Sequence, residues 1–79
     1  MPRLRKSLSA AEEMTANEIR TNYGGMLNLK GVMTYLGVSR RTAENWVRDI
    51  DAIEINGRKR YTAADIARKI EAHRISGGI

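Results

Sequence analysis

The sequence predicts a small, mostly helical α+β domain, and three observations carry that expectation. Short polar residues that cap helices stand just ahead of apolar stripes with helical spacing, at Thr15, Asn28, Ser39 and Thr62. One Asn-Gly pair, Asn56-Gly57, lies between two runs of alternating character, the pattern of a tight β-hairpin. The chain has 79 residues, 42% of them hydrophobic and 29% charged, a globular composition at a length suited to one domain.

The elements follow in order. The first helix is expected over Ala16 to Tyr23, capped by Thr15, with Glu18 completing a capping box and Met14 stapled to Ile19. Its apolar stripe, Ile19 and Tyr23, is thin, so it either pads the core or meets another protein, and Gly24-Gly25 stops it. Asn28 caps the second helix, with Leu27 reaching Val32; Leu29, Val32 and Leu36 line its inner face, and Gly37 ends it as a left-handed cap. Ser39 caps the third, with Val38 over Ala43, and Ala43, Trp46, Val47 and Ile50 face inward. Trp46 at that spacing is expected in the core rather than as an exposed stacking platform.

Ala52-Ile53-Glu54-Ile55 and Arg58-Lys59-Arg60-Tyr61 flank the Asn-Gly turn, and some of Ile53, Ile55 and Tyr61 should close the core. Pairing through a two-residue turn sets Glu54 opposite Lys59, Ile55 opposite Arg58 and Ile53 opposite Arg60, unless a bulge shifts the register. In the direct register Glu54 partly neutralises Lys59, and the stems of Arg58 and Arg60 cover apolar surface. Thr62 caps the last helix, with Asp65 in the box position, Tyr61 over Ile66, and Ala63, Ile66, Ala67 and Ile70 inward. Each cap is worth about 1 kcal/mol, which matters in a domain that buries only about 60–65% of its unfolded surface. Residues 1–25 thus read as a basic N-terminal extension with a short helix, 26–75 as the domain proper, and 76–79 as a flexible tail.

Composition narrows the function. Without cysteine there is neither a disulfide framework nor a cysteine zinc site. One His and four scattered Ser make no nucleophile–base pair, and no Gly-rich phosphate loop is present, so no enzyme, cofactor or small-molecule ligand is expected. His73 falls in the last turn of the final helix, where an imidazole suits the dipole; with no second ligand type nearby, no metal site is expected. The longest nearly apolar stretch, Gly31 to Val38, is too short to cross a bilayer, and no apolar signal core follows the basic start, so a cytoplasmic protein is expected.

The charge points to nucleic acid. There are 14 Lys plus Arg against 9 Asp plus Glu, a net +5, and residues 28–61 alone carry 7 basic and 4 acidic groups. The second and third helices, joined through Gly37-Val38, read as a helix-turn-helix whose outward residues are Arg40, Arg41, Thr42, Glu44, Asn45 and Arg48. Arg matches guanine O6 and N7, Asn matches adenine N6 and N7, and Thr offers a hydroxyl and a methyl. Arg41, Thr42 and Asn45 are therefore expected at base edges, and Arg40, Arg48, Arg58 and Arg60 at phosphates, with Lys59 beside them on the hairpin. Asp49, Asp51 and Glu54 mark the end expected to point away from the duplex. Arg3, Arg5 and Lys6 are either a minor-groove arm or a frayed basic terminus.

Leu27-Asn28-Leu29, then Leu36-Gly37-Val38-Ser39-Arg40-Arg41-Thr42, then Trp46-Val47-Arg48 resembles the excisionase-type winged helix-turn-helix family. Ile55 to Thr62 followed by Asp65-Ile66 is similar to that family's wing and closing helix, and the pattern over about residues 26–74 is similar more broadly to the DNA-binding domain of MerR-type regulators. The resemblance implies a winged helix-turn-helix with a recognition helix at Arg40 to Asp49 and a wing at Arg58 to Arg60. It implies a recombination directionality factor of a phage or mobile element, acting in a bacterial or phage-infected cell. The implied partners are double-stranded DNA, an integrase, and further copies bound cooperatively to repeated sites. Small transcriptional regulators share the pattern. A module gripping an acidic protein partner is the expectation from a different class. Two features depart from the family: Asp49-Ile50-Asp51-Ala52 replaces the usual turn after the third helix, and the segment before Leu27 has no counterpart in the minimal domain.

Overall fold

In the computed structural model, which describes residues 7–74, the order is α1 (Ala10–Tyr23), β1 (Met26–Leu27), α2 (Leu29–Leu36), α3 (Arg40–Trp46), β2 (Ile53–Ile55), β3 (Arg58–Thr62) and α4 (Ala63–Ala72). The strands form an antiparallel sheet in the order β1-β3-β2. The class is therefore α+β and mostly helical. Expectations placed on Arg3, Arg5 and Lys6 and on the tail 76–79 lie outside the described residues. Among the described residues no helix is long and apolar enough to cross a membrane.

The first helix begins a turn and a half before the expected start. Ser9, not Thr15, is the N-cap: its hydroxyl accepts the Glu12 N–H at 3.2 Å, and Glu12 accepts the Ser9 N–H at 2.8 Å. Ala10, Ala11, Glu12 and Glu13 are all sound helix formers with acids at the positive end of the dipole, so helix propagates upstream of Thr15. Thr15 instead donates its hydroxyl proton to Glu71 of α4 at 2.9 Å, and the expected staple residue Met14 is 74% exposed. Bonds from Arg74 and Thr15 hold the Glu71 carboxyl below its usual range.

The longer helix docks on α4 and joins the core. Ala16 and Ile19 are fully buried, and Ile19 belongs to the same cluster as Leu27, Val32, Ala43, Val47, Tyr61, Ala63 and Ile66. Tyr23, expected on the inner stripe, lies at the rim, its ring edge-on to Tyr35 at 5.5 Å. The Tyr35 hydroxyl donates to Glu18 at 2.9 Å, so α1 is tied to both α2 and α4.

The other caps stand where the sequence puts them. The side chains of Asn28, Ser39 and Thr62 accept from the backbone N–H groups of Gly31, Thr42 and Asp65. Gly37 adopts the left-handed conformation (φ 68°, ψ 40°), and the N–H groups of Gly37 and Val38 both close onto Met33 O, turning the chain sharply into α3. Strand β1 is too short to announce itself by periodicity. Its residues pair Met26 with Thr62 and Leu27 with Tyr61, and the Ala63 N–H donates to Gly25 O at 2.9 Å.

Two measurements check this packing. Ile19→Ala should cost about 2–5 kcal/mol in urea unfolding, as a deleted core side chain does, while Met14→Ala stays within about 0.5 kcal/mol; equal costs would mean that α1 is not part of the cooperative unit. Burial, and then the bond to Glu18, pushes the Tyr35 phenol from its ordinary 10.0 up to about 12. The folded state thus favours the protonated phenol, a contribution fully present below pH 10.0 and lost as pH rises through about 12. Phenolate absorbance should show an ionisation step at about pH 12, and Tyr35→Phe should remove that step.

Candidate nucleic-acid interface

Helix α3 is shorter than expected, and this reshapes the site. It stops at Trp46, with Val47 as its C-cap, rather than continuing to Asp49. In a continued helix the Trp46 carbonyl would accept the Ile50 N–H. Here the Ile50 N–H goes to Val47 O at 3.0 Å, and the Lys69 ammonium of α4 takes the Trp46 carbonyl. Lys69 also lies over the Trp46 ring, 4.8 Å from its centroid, and pairs with Asp49, whose carboxyl it holds below the usual range. Arg48 and Asp49 therefore belong to a turn, and Trp46 is neither fully core nor a free platform: it is half-buried at the edge of the cluster.

Within α3, Ala43 is fully buried and Val47 is 5% exposed, which turns the opposite side to solvent. Arg40, Arg41, Thr42, Glu44, Asn45 and Arg48 are all exposed. At 100° per residue, Arg41 and Asn45 stand opposite Ala43 on the outermost ridge, and Arg40 and Glu44 lie together on one flank. Arg40 Nε approaches Glu44 at 3.3 Å with both groups well solvated, a contact worth a few tenths of a kcal/mol. Arg48 donates to the Asn45 Oδ1 at 3.0 Å. An amide oxygen has two lone pairs, so this bond fixes the rotation of the Asn45 amide and leaves one acceptor site and both N–H donors free.

The hairpin adopts the direct register without a bulge: Glu54 faces Lys59, Ile55 faces Arg58 and Ile53 faces Arg60. Asn56 and Gly57 both have positive φ (52° and 76°), as a type I′ turn requires. Two details depart from expectation. Ile53 and Ile55 remain 38% and 45% exposed, so only Tyr61 of the three candidates closes the core. Among the described residues no ion pair joins Glu54 to Lys59, which leaves that lysine's charge on the surface.

Between α3 and the hairpin, floored by the start of α2, runs a groove of about 900 Å³. Its lining includes the cationic residues Lys30, Arg40, Arg48, Arg58, Lys59 and Arg60, against the single acid Glu44. Tertiary structure thus brings together the side chains expected at phosphates, while Arg41, Thr42 and Asn45 stand outside the groove along α3. Lys30 carries no sequence signal, because only the packing of α2 brings its first turn to the groove. Lys69 is hidden too: four residues after Asp65 it reads as an ordinary intrahelical pair, yet Asp65 pairs with Arg68 and Lys69 reaches α3. Asp49 and Asp51 line a separate depression with Asp65 and Lys69, away from the cationic groove. Among the described residues no group of three or more His, Cys, Asp or Glu is placed to hold a metal ion.

Comparison with family models, with curated proteins and with solved structures gives no match to the chain.

Proposed function

We propose that the chain binds duplex DNA as a winged helix-turn-helix protein, with α3 in the major groove and the β2–β3 hairpin, as the wing, against an adjacent backbone or minor groove. The observation that carries this reading is the groove between α3 and the hairpin, with six cationic side chains and one carboxylate. A polyanion is the ligand for which such a surface releases most counterions. A seven-residue helix is about 10 Å long, roughly three base-pair steps, so the hairpin has to supply the rest of the footprint.

In this reading Arg41, Thr42 and Asn45 meet base edges, and Asn45 arrives with its amide already oriented by Arg48. Arg40, Arg48, Arg58 and Arg60, joined by Lys30 and Lys59, hold phosphates. Glu44 lies against Arg40 and leaves the groove strongly positive. The biological role we infer from the sequence resemblance is that of a recombination directionality factor of a phage or mobile element, assisting an integrase. An integrase excision assay with and without the protein tests it. Unchanged excision together with repression of a neighbouring promoter would replace that role by transcriptional regulation.

Amide NMR titration with a mixed-sequence duplex of about 20 base pairs should move residues 39–48 and 57–61, and the shifts should fade with salt. Asn45→Ala should alter preference at one base pair by about 1–3 kcal/mol, whereas Arg58→Ala should weaken all duplexes alike and lower the salt slope by about 1. Equal effects of both substitutions on every duplex would remove α3 as the reading element. Shifts absent from both segments would redirect the search to an acidic protein partner.

A further inference from the structure

The cationic groove has two walls, and they belong to different parts of the chain. One wall is α3, which packs beside α2 and meets the core through Ala43 and its C-cap Val47, with Trp46 half-buried at the edge. The other is the hairpin, whose strand β3 runs without a linker into α4, Thr62 being both the last residue of the strand and the cap of the helix. Hairpin and α4 are therefore joined directly, with no intervening loop. The position of α3 against them is set by its packing on α2 and, at its C-terminal end, by how it is fastened to α4.

Lys69 is that fastening. Its side chain is only 14% exposed, and its ammonium meets the Trp46 carbonyl, the face of the Trp46 ring and the Asp49 carboxylate together. The Trp46 carbonyl is one of the unsatisfied acceptors at the negative end of α3, where a cation is favourable. The cation comes from another element, so satisfying that end also sets its position. The Asp49 side chain is 74% exposed, and a solvated ion pair contributes little to stability. Its carboxylate acts by orienting the ammonium over the ring and the carbonyl.

We propose that Lys69 is a positioning residue for sequence readout: by clamping the C-terminal end of α3 to α4, it sets the distance and angle between the recognition helix and the hairpin without touching DNA. The proposal rests on the DNA-binding reading above. With the clamp removed, the freed Trp46 carbonyl is available to the Ile50 N–H or to water, so the end of α3 lengthens or frays. Either change re-aims Arg48, and through it the Asn45 amide. Contacts to phosphate tolerate such a shift, because a long cation follows a charge over several ångströms; bidentate contacts to base edges do not.

The test uses the full chain and two duplexes, one enriched from a randomised pool by the unaltered protein and one of equal length with that sequence scrambled. Lys69→Met keeps the apolar stem and removes the charge. Its preference for the enriched duplex should fall about tenfold, the effect of losing one base contact, while affinity for the scrambled duplex and the salt slope stay unchanged. Lys69→Arg, whose guanidinium can stack on the ring and donate to the carbonyl, should restore the preference. Emission from Trp46, the single tryptophan, should change in Lys69→Met and recover in Lys69→Arg. Should Lys69→Met fail to fold, Asp49→Asn supplies the same comparison, with a smaller loss of preference expected. Full retention of preference, or parallel loss on both duplexes, would overturn the proposal and leave DNA binding intact. Failure of the unaltered protein to bind either duplex would instead overturn the DNA-binding reading, and the proposal with it.

Discussion

Leu27 and Tyr61 face each other across the β1–β3 pair, 2% and 7% exposed, and the next residue of each strand is a helix cap. Asn28 opens α2 and Thr62 opens α4, so both helices leave from one buried rung of the sheet. That rung fixes where α2 and the hairpin start relative to each other, since α2 leads directly into the turn before α3 and β3 leads back to the hairpin tip. The bond from the Ala63 N–H to Gly25 O locks the register one step further along. A slip of one residue between the strands would put Leu27 and Tyr61 on opposite faces, so that both could not stay buried, which makes the register costly to change.

Around this rung the core is built mostly of small parts. Its largest fully buried side chains are Ile19, Val32 and Ile66, and each comes from a different helix. A core so limited relies on local devices at its margins: side-chain caps on α1 to α4, the left-handed Gly37 that ends α2 and the polar ties of α1 to its neighbours. Through Ile19, Thr15 and Glu18, α1 contributes both apolar and polar contacts that hold α2 and α4 in place.

Charge is sorted by the same framework. Asp49 and Asp51 are drawn to the α4 side, where Lys69 holds Asp49, while Glu54 stays on the hairpin, and the cations of α2, α3 and β3 are left facing a common groove. This separation is what gives a protein of modest net charge a strongly positive face. The proposed duplex-binding function depends on that local excess, and less on the total.

Local chemistry makes most of the fold legible in the sequence. The caps at Asn28, Ser39 and Thr62, the Gly37 turn, the Asn-Gly hairpin with its register and the inward faces of α2 and α4 all follow from groups within a few residues of one another, so the chain itself specifies them. Sequence pattern alone misplaces the start of α1 at Thr15, although Ser9 and Glu12 carry the same local capping pattern upstream; in the fold Thr15 is spent on its bond to Glu71. The six outward residues around α3 were also readable, because the buried stripe of a helix defines its opposite. Tertiary structure alone decided the pairing of β1 with β3, the end of α3 at Trp46, the approach of Lys30 to the hairpin and the clamp by Lys69. Each of these joins groups far apart along the chain, and no local propensity encodes which distant donor will reach an unsatisfied carbonyl.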